Sequence, residues 1–319
     1  MSIATTRSTA TARSAEAGRR RPGAGRLGRQ TRHGWAFLAP FLGLFLLFEA
    51  IPIGYALVQS LREKQWSGLG LDGPVERFAG LANYRRVLED GEVIDGVLRM
   101  FLYGVVQVPV MLLLALAMAL LFDAGVARGR RFFQFSAFLP HAVPGIVAAV
   151  LWAYLYVPGI SPVVGLLQDV NIEVDFLGPD TVLWSIANIA TWQWTGYNML
   201  IIFAALQALP RELFEAARVD GAGGWGIAWR IKIPLVRPSL VLTALFSVIG
   251  TLQLFAEPMV VRSLTANVTA TYTPNMAGYA QAFGLNDPNY AAAIAVSLAI
   301  VAFALSYGLM RAAQRGVDS

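Results

Sequence analysis

The amino-acid sequence predicts an all-α polytopic membrane protein of about six transmembrane helices, with both termini on the cytoplasmic side. Three observations predict it. The 319 residues are 56% hydrophobic and only 14% charged, where a soluble domain carries about a quarter charged residues. Six apolar runs each reach the roughly 20 residues that a helix needs to cross the hydrocarbon core. The bases concentrate in alternate gaps between those runs, as the positive-inside rule requires. Cysteine is absent, which excludes disulfides and thiolate metal sites. The net charge of +5 could suggest a nucleic-acid surface, but its placement between apolar runs follows membrane topology instead. No nucleic acid is expected as a partner.

Residues 1–32 differ in kind from the rest. Arg7, Arg13, Arg19, Arg20, Arg21, Arg26, Arg29 and Arg32 stand against a single acid, Glu16. Such a segment cannot bury enough apolar surface to offset its ordering entropy, so a disordered basic cytoplasmic tail is expected; a transit peptide has a similar composition. The transmembrane domain then covers 33–311. Its runs lie at 35–61, 98–122, 132–157, 182–209, 240–261 and 290–310. Pro40 and Pro52 fall inside the first. Pro140 and Pro144 bracket His141 in the third, which predicts a kink whose freed carbonyls are satisfied locally. Residues 312–319 form a cytoplasmic stub.

Loop charge orients the spans. Arg128, Arg130 and Arg131 follow the second run, and Arg211, Arg218, Arg230, Lys232 and Arg237 follow the fourth, so both loops are inside. Residues 158–181 hold Asp169, Glu173, Asp175 and Asp180 with no base and belong outside. Only an even number of spans satisfies all of these loops. Trp35, Trp66, Trp152, Tyr156, Trp184 and Tyr290 near run ends fit interfacial belts.

The most informative stretch is the 210–234 loop between the fourth and fifth runs. Pro210 suits a first helical turn. Glu212 and Glu215 favour a helix start, and Asp220-Gly221 marks a turn. A second short helix can run from Trp225 to Ile231, with Pro234 closing it. The pattern predicts a helix-turn-helix with Leu213, Phe214, Val219, Trp225, Ile227 and Trp229 as apolar contacts. From these residues alone the alternative is an ordinary connection lying on the membrane surface, though loops this long are usually functional.

Glu215-Ala216-Ala217, then Gly221, then Ile231-Lys232-Ile233-Pro234 resembles the EAA loop of binding-protein-dependent ABC importer permeases, with Ile233 in place of the usual Leu. Leu139 to Pro144, Trp194 to Leu200, Ala205 to Pro210 and Gln253 to Pro258 resemble the sugar-permease branch, the maltose and glycerol-3-phosphate type. The likeness covers about 35–311. It departs after the fifth run, where Val261 to Ala266 replace a Gly-Gly-Pro. The resemblance implies a cytoplasmic coupling loop in which Glu215, Ala216, Ala217, Asp220, Gly221, Ile231 and Pro234 meet a separate ATPase. It also implies a second permease subunit, an ATP-binding cassette dimer that holds the ATP, and an extracytoplasmic solute-binding protein. The chain itself, embedded in lipid, is then no enzyme and carries no cofactor. Its own residues agree: neither Lys64 nor Lys232, its only lysines, sits in a P-loop pattern.

Polar residues at membrane depth are the remaining candidates. Gln193, Tyr197 and Asn198 lie on the fourth run, Gln253 and Glu257 on the fifth, and Glu49 on the first. Gln193 and Tyr197 are four apart, as are Gln253 and Glu257, so each pair shares a helix face. These types suit a sugar, which offers hydroxyls to amides and carboxylates and ring faces to aromatics. They equally suit polar packing between helices. Within the resemblance the expected function is import of a carbohydrate or related solute by alternating access. The same machine could carry a polyol phosphate, peptide or amino acid, and the residues alone also admit a stand-alone secondary transporter.

Overall fold

The computed structural model describes residues 24–66, 74–125 and 129–315. Most of the expected basic tail (1–23), Arg128 and the end of the expected C-terminal stub (316–319) lie outside the described residues. The chain divides into two units, 1–55 and 56–319. In the first, helix α1 (Ala24–Phe45) begins within the segment expected to be tail, so 24–32 are helical rather than coil. A five-residue π turn, Leu46–Ala50, follows, and α2 (Ile51–Ser60) begins. The π turn precedes Pro52, whose missing N–H would interrupt a regular ladder there.

The second unit opens on an antiparallel hairpin, β1 (Arg62–Trp66) with β2 (Pro74–Phe78), and a short helix α3 (Ala82–Glu89). Asp90 then caps α4 (Gly91–Asp123), accepting from the Glu92 and Val93 amides. The third run is split as its prolines predict. It comprises α5 (Arg130–Phe138), a 3₁₀ turn (Leu139–Ala142) and α6 (Gly145–Tyr156), bent by 97°. After α7 (Pro162–Asp169) comes α8 (Val182–Gln207), a single 26-residue helix. The loop that follows holds α9 (Arg211–Val219), α10 (Gly224–Ile227) and α11 (Ile233–Leu235). The fifth run is α12 (Arg237–Leu252) and α13 (Ala256–Val261). Beyond α14 (Pro274–Tyr279), α15 (Pro288–Arg315) closes the chain.

Among the described residues four helical segments are long and apolar enough to cross a membrane, and the bent α5–α6 pair makes a fifth. The remaining expected span, the fourth run, is α8, about 39 Å long at 1.5 Å per residue. It carries Asn188, Gln193, Asn198 and Gln207. The reason is its position: α8 is the central helix, with Ile186, Ile189, Met199 and Ile202 fully buried. Gln193 and Asn198 are buried against protein, so these polar groups are tolerated. Ala115 and Ala119 of α4, both 0% exposed, let α4 approach it closely. The exposed sides of the other long helices are apolar instead, with Phe101 and Leu113 on α4 and Phe303 on α15 exposed.

A polar clasp ties the helices together at the acidic end. Arg86 pairs with Asp287 at 2.7 Å and lies 3.7 Å over the Tyr290 ring, while the Tyr290 hydroxyl donates to Asp90 at 2.7 Å. Asp175 and Asp180 precede α8 at this end, whereas Arg211 follows its other end. That separation agrees with the orientation drawn from loop charge.

Candidate functional site

Two polar regions stand out, one at the basic end of the bundle and one inside it. The basic-end loop is built by local chemistry. Pro210 is extended and precedes α9, outside the helix rather than in its first turn as expected. Glu212 sits in that turn, favourable against the helix dipole. The helix stops in a Schellman motif: Ala222 N donates to Ala217 O at 2.9 Å and Gly221 N to Arg218 O at 3.0 Å. Gly221 takes φ +82°, a conformation that costs glycine little and other residues more. Asp220 is the C-cap residue.

The second helix does not end at Pro234. It runs from Gly224 through a π turn, Ala228–Lys232, into Ile233–Leu235. The widened turn, with Ile233 N bonded to Ala228 O, accommodates the proline that a regular helix would reject. Ile231 is half-buried, Pro234 exposed, and Glu215 and Ala216 lie on the open side of α9 with Ala217 half-buried beneath. Of the expected apolar contacts only Ile227 is buried. Val219, Trp225 and Trp229 are 88%, 78% and 64% exposed, and the two indoles stack at 6.2 Å.

Asp123, the last residue of α4, fixes this loop to the bundle. It forms an ion pair with Lys232 in the π turn and accepts from Gln207 Nε2, at the end of α8, at 2.6 Å. Lys232 also lies 5.0 Å from the Phe214 ring of α9. One carboxylate therefore joins α4, α8 and both helices of the loop. Sequence reading missed this triad, although a lone lysine facing a lone acid after the second run was a signal.

Inside the second unit a cavity of about 580 Å³ opens between α4, α8 and the fifth span. Its size lies within the range of small-molecule sites. Tyr103 and Gln107 of α4, Trp194, Tyr197 and Asn198 of α8, and Gln253 and Glu257 line it. The fifth span is broken there. Pro258 lacks the N–H that would bond Leu254 O, so the helix ends at Leu252 and resumes at Ala256. Gln253 and Glu257 therefore do not share a helix face, yet both reach the cavity. The freed carbonyls are not orphaned. Asn275 Nδ2 donates to Leu252 O at 2.8 Å and Thr273 Oγ1 to Leu254 O at 3.2 Å.

The break in the third span is satisfied the same way. Gln193 Nε2 donates to Val143 O at 2.8 Å, so Gln193 holds the kink, with its amide and Glu257 Oε1 both close to Gly145. His141 packs in an aromatic box with Trp194 at 4.6 Å and Tyr197 at 4.5 Å. Glu49 belongs to the first unit, where it is exposed in the π turn. All residues lining the cavity come from the second unit. Of the six expected pathway residues the cavity thus gathers Tyr197, Asn198, Gln253 and Glu257. Tyr103 and Gln107 are additions that their apolar surroundings concealed.

A family described as "Binding-protein-dependent transport system inner membrane component" matches residues 88–319. The chain is 31% identical over 233 residues to the lactose transport system permease protein LacF of Rhizobium radiobacter, covering 70% of this chain and 74% of the relative. It is 30% identical over 244 residues to the sn-glycerol-3-phosphate transport system permease protein UgpA of Agrobacterium fabrum, covering 76% and 80%. Its fold matches a crystal structure of a bacterial ABC transporter involved in the import of the acidic polysaccharide alginate. That likeness has a TM-score of 0.77 at 19% identity and covers 91% of this chain and 99% of the other.

Proposed function

Because the chain belongs to the family of inner membrane components of binding-protein-dependent transport systems, we propose that it is the permease of an ATP-driven carbohydrate importer. In this reading an extracytoplasmic binding protein delivers the solute. A second permease chain completes the pathway, and a dimer of ATPase subunits binds all the ATP. The likeness to lactose and glycerol-3-phosphate permeases supports a sugar or polyol cargo.

One observation carries the coupling role: the 210–234 loop is rigidly terminated, pinned to α4 and α8 through Asp123, and yet leaves a broad apolar face exposed. Exposed tryptophans on an ordered helix pair suit a protein partner. The ATPase would seat Glu215, Ala216 and Ala217 on α9, with Gly221 allowing the tight turn and Ile231 and Pro234 shaping the second helix. ATP-driven closure would displace the docked pair and tilt the spans between inward- and outward-open states. The cavity at Tyr197, Asn198, Gln253 and Glu257 would be this chain's share of the solute path.

The test is uptake and ATP hydrolysis measured together in proteoliposomes holding the assembled importer. Glu215→Ala and Gly221→Val should each lower solute moved per ATP at least about tenfold while the protein still inserts. Parent-level uptake in both would refute the coupling role.

A further inference from the structure

The cavity lining contains one carboxylate, Glu257, and no lysine, arginine or histidine. The sequence removes the obvious sources of compensation. Across the six apolar runs the basic side chains are Arg99 and His141. Arg99 is committed elsewhere, its guanidinium donating to Tyr272 O at 2.7 Å and lying 4.3 Å over the Tyr272 ring. His141 packs against the Phe138, Trp194 and Tyr197 rings and is not part of the lining. The other charged side chain within the apolar runs, Glu49 of the first unit, is also acidic.

An anionic solute entering this cavity would lose hydration and gain no cation to replace it. Wherever Glu257 is ionised, such a solute would also face a like charge a few ångströms away, a repulsion of about tenfold or more in occupancy. A neutral sugar meets the opposite situation. Its hydroxyls donate to the Glu257 carboxylate and exchange hydrogen bonds with the Gln253 and Gln107 amides, while its apolar ring face can lie on Trp194 or Tyr197. We propose that Glu257 makes this chain's half of the pathway selective against anions, so that the imported solute is a neutral carbohydrate rather than a sugar phosphate or uronate. This rests on the carbohydrate-import reading above.

Trp194 lines the cavity and supplies a local probe. In the assembled, nucleotide-free complex in nanodiscs, collisional quenching by iodide and by acrylamide would be measured, with Trp194→Phe subtracted to isolate that indole. Iodide should quench Trp194 several-fold less efficiently than neutral acrylamide. Glu257→Gln should raise the iodide-to-acrylamide ratio at least about threefold, and Glu257→Asp, which keeps the charge, should hold it low. On the parent protein, the sugar eluted from the cognate binding protein should carry no phosphate, sulfate or carboxylate by mass spectrometry. An unchanged ratio in Glu257→Gln, or an acidic eluted sugar, overturns the proposal and leaves carbohydrate import intact. A non-carbohydrate cargo would instead remove the functional reading on which it rests.

Discussion

Asp123 and Lys232 offer the sharpest test of how the loop is held. Their side chains are 10% and 14% exposed, so each is largely desolvated and relies on the other. Replacing Lys232 by Leu leaves Asp123 with only the Gln207 amide; replacing Asp123 by Leu leaves an ammonium over the Phe214 ring. Breaking a buried pair from one side costs about 3–5 kcal/mol, and the residual hydration here favours the lower value, about 3 kcal/mol. Exchanging both for Leu removes the stranded charge and should cost about 1 kcal/mol or less. A double-mutant cycle should then return a coupling of at least about 2 kcal/mol. The assay is thermal unfolding of the detergent-solubilised permease, where each single variant should lose about 5 °C or more. The apolar pair should recover stability but not solute moved per ATP, because the tie between loop and α4 is gone. A coupling below about 0.5 kcal/mol would refute the view of this triad as the loop's anchor.

Gly196 faces the backbone of α5, and a Cβ there would lie 1.8 Å from Ala137 O; Gly196→Ala should therefore abolish the monodisperse peak in size-exclusion chromatography. Gln193→Ala strands Val143 O and Asn275→Ala strands Leu252 O, and each should cost about 1–3 kcal/mol in thermal unfolding. Trp225→Ser combined with Trp229→Ser removes exposed surface only, so permease stability should stay within about 1 kcal/mol of the parent. The ATPase should nonetheless cease to co-purify with that variant.

Much of the fold was legible because bilayer physics writes itself into composition. Apolar length, basic loops and a proline pair specify spans, sides and the bend at 143–144 without knowledge of tertiary contacts. The turn at Gly221 was legible for the same local reason, as only the backbone decides it. The break at 253–255 was hidden because its cause, Pro258, lies downstream of the bend and inside an apolar run. The partners of its carbonyls, Asn275 and Thr273, sit in the next loop, where no periodicity marks them. The bond of Gln193 to Val143 O was hidden for a related reason. Helical spacing gives the face a side chain leaves from but not which unsatisfied carbonyl it then meets.

The two regions are mechanically joined by the helices that build both. Asp123 and Gln207 end α4 and α8, and the cavity residues Gln107 and Asn198 lie on those same helices. At 1.5 Å per residue they stand about 24 Å and about 14 Å from the anchored ends. α4 and α8 share a close-packed interface built on small side chains, and such interfaces shift between discrete arrangements rather than deform. Pro109, inside α4 between Gln107 and Asp123, is one place where a push on the loop can bend the helix. The other compliant points are the breaks at 143–144 and 253–255, where no helical ladder runs and side-chain amides hold the carbonyls. The second of these carries Glu257 in the first turn of the helix that resumes. Motion delivered at the basic end would thus be expressed where the polar groups of the cavity are aimed, and stiffening either break should slow transport without weakening ATPase docking.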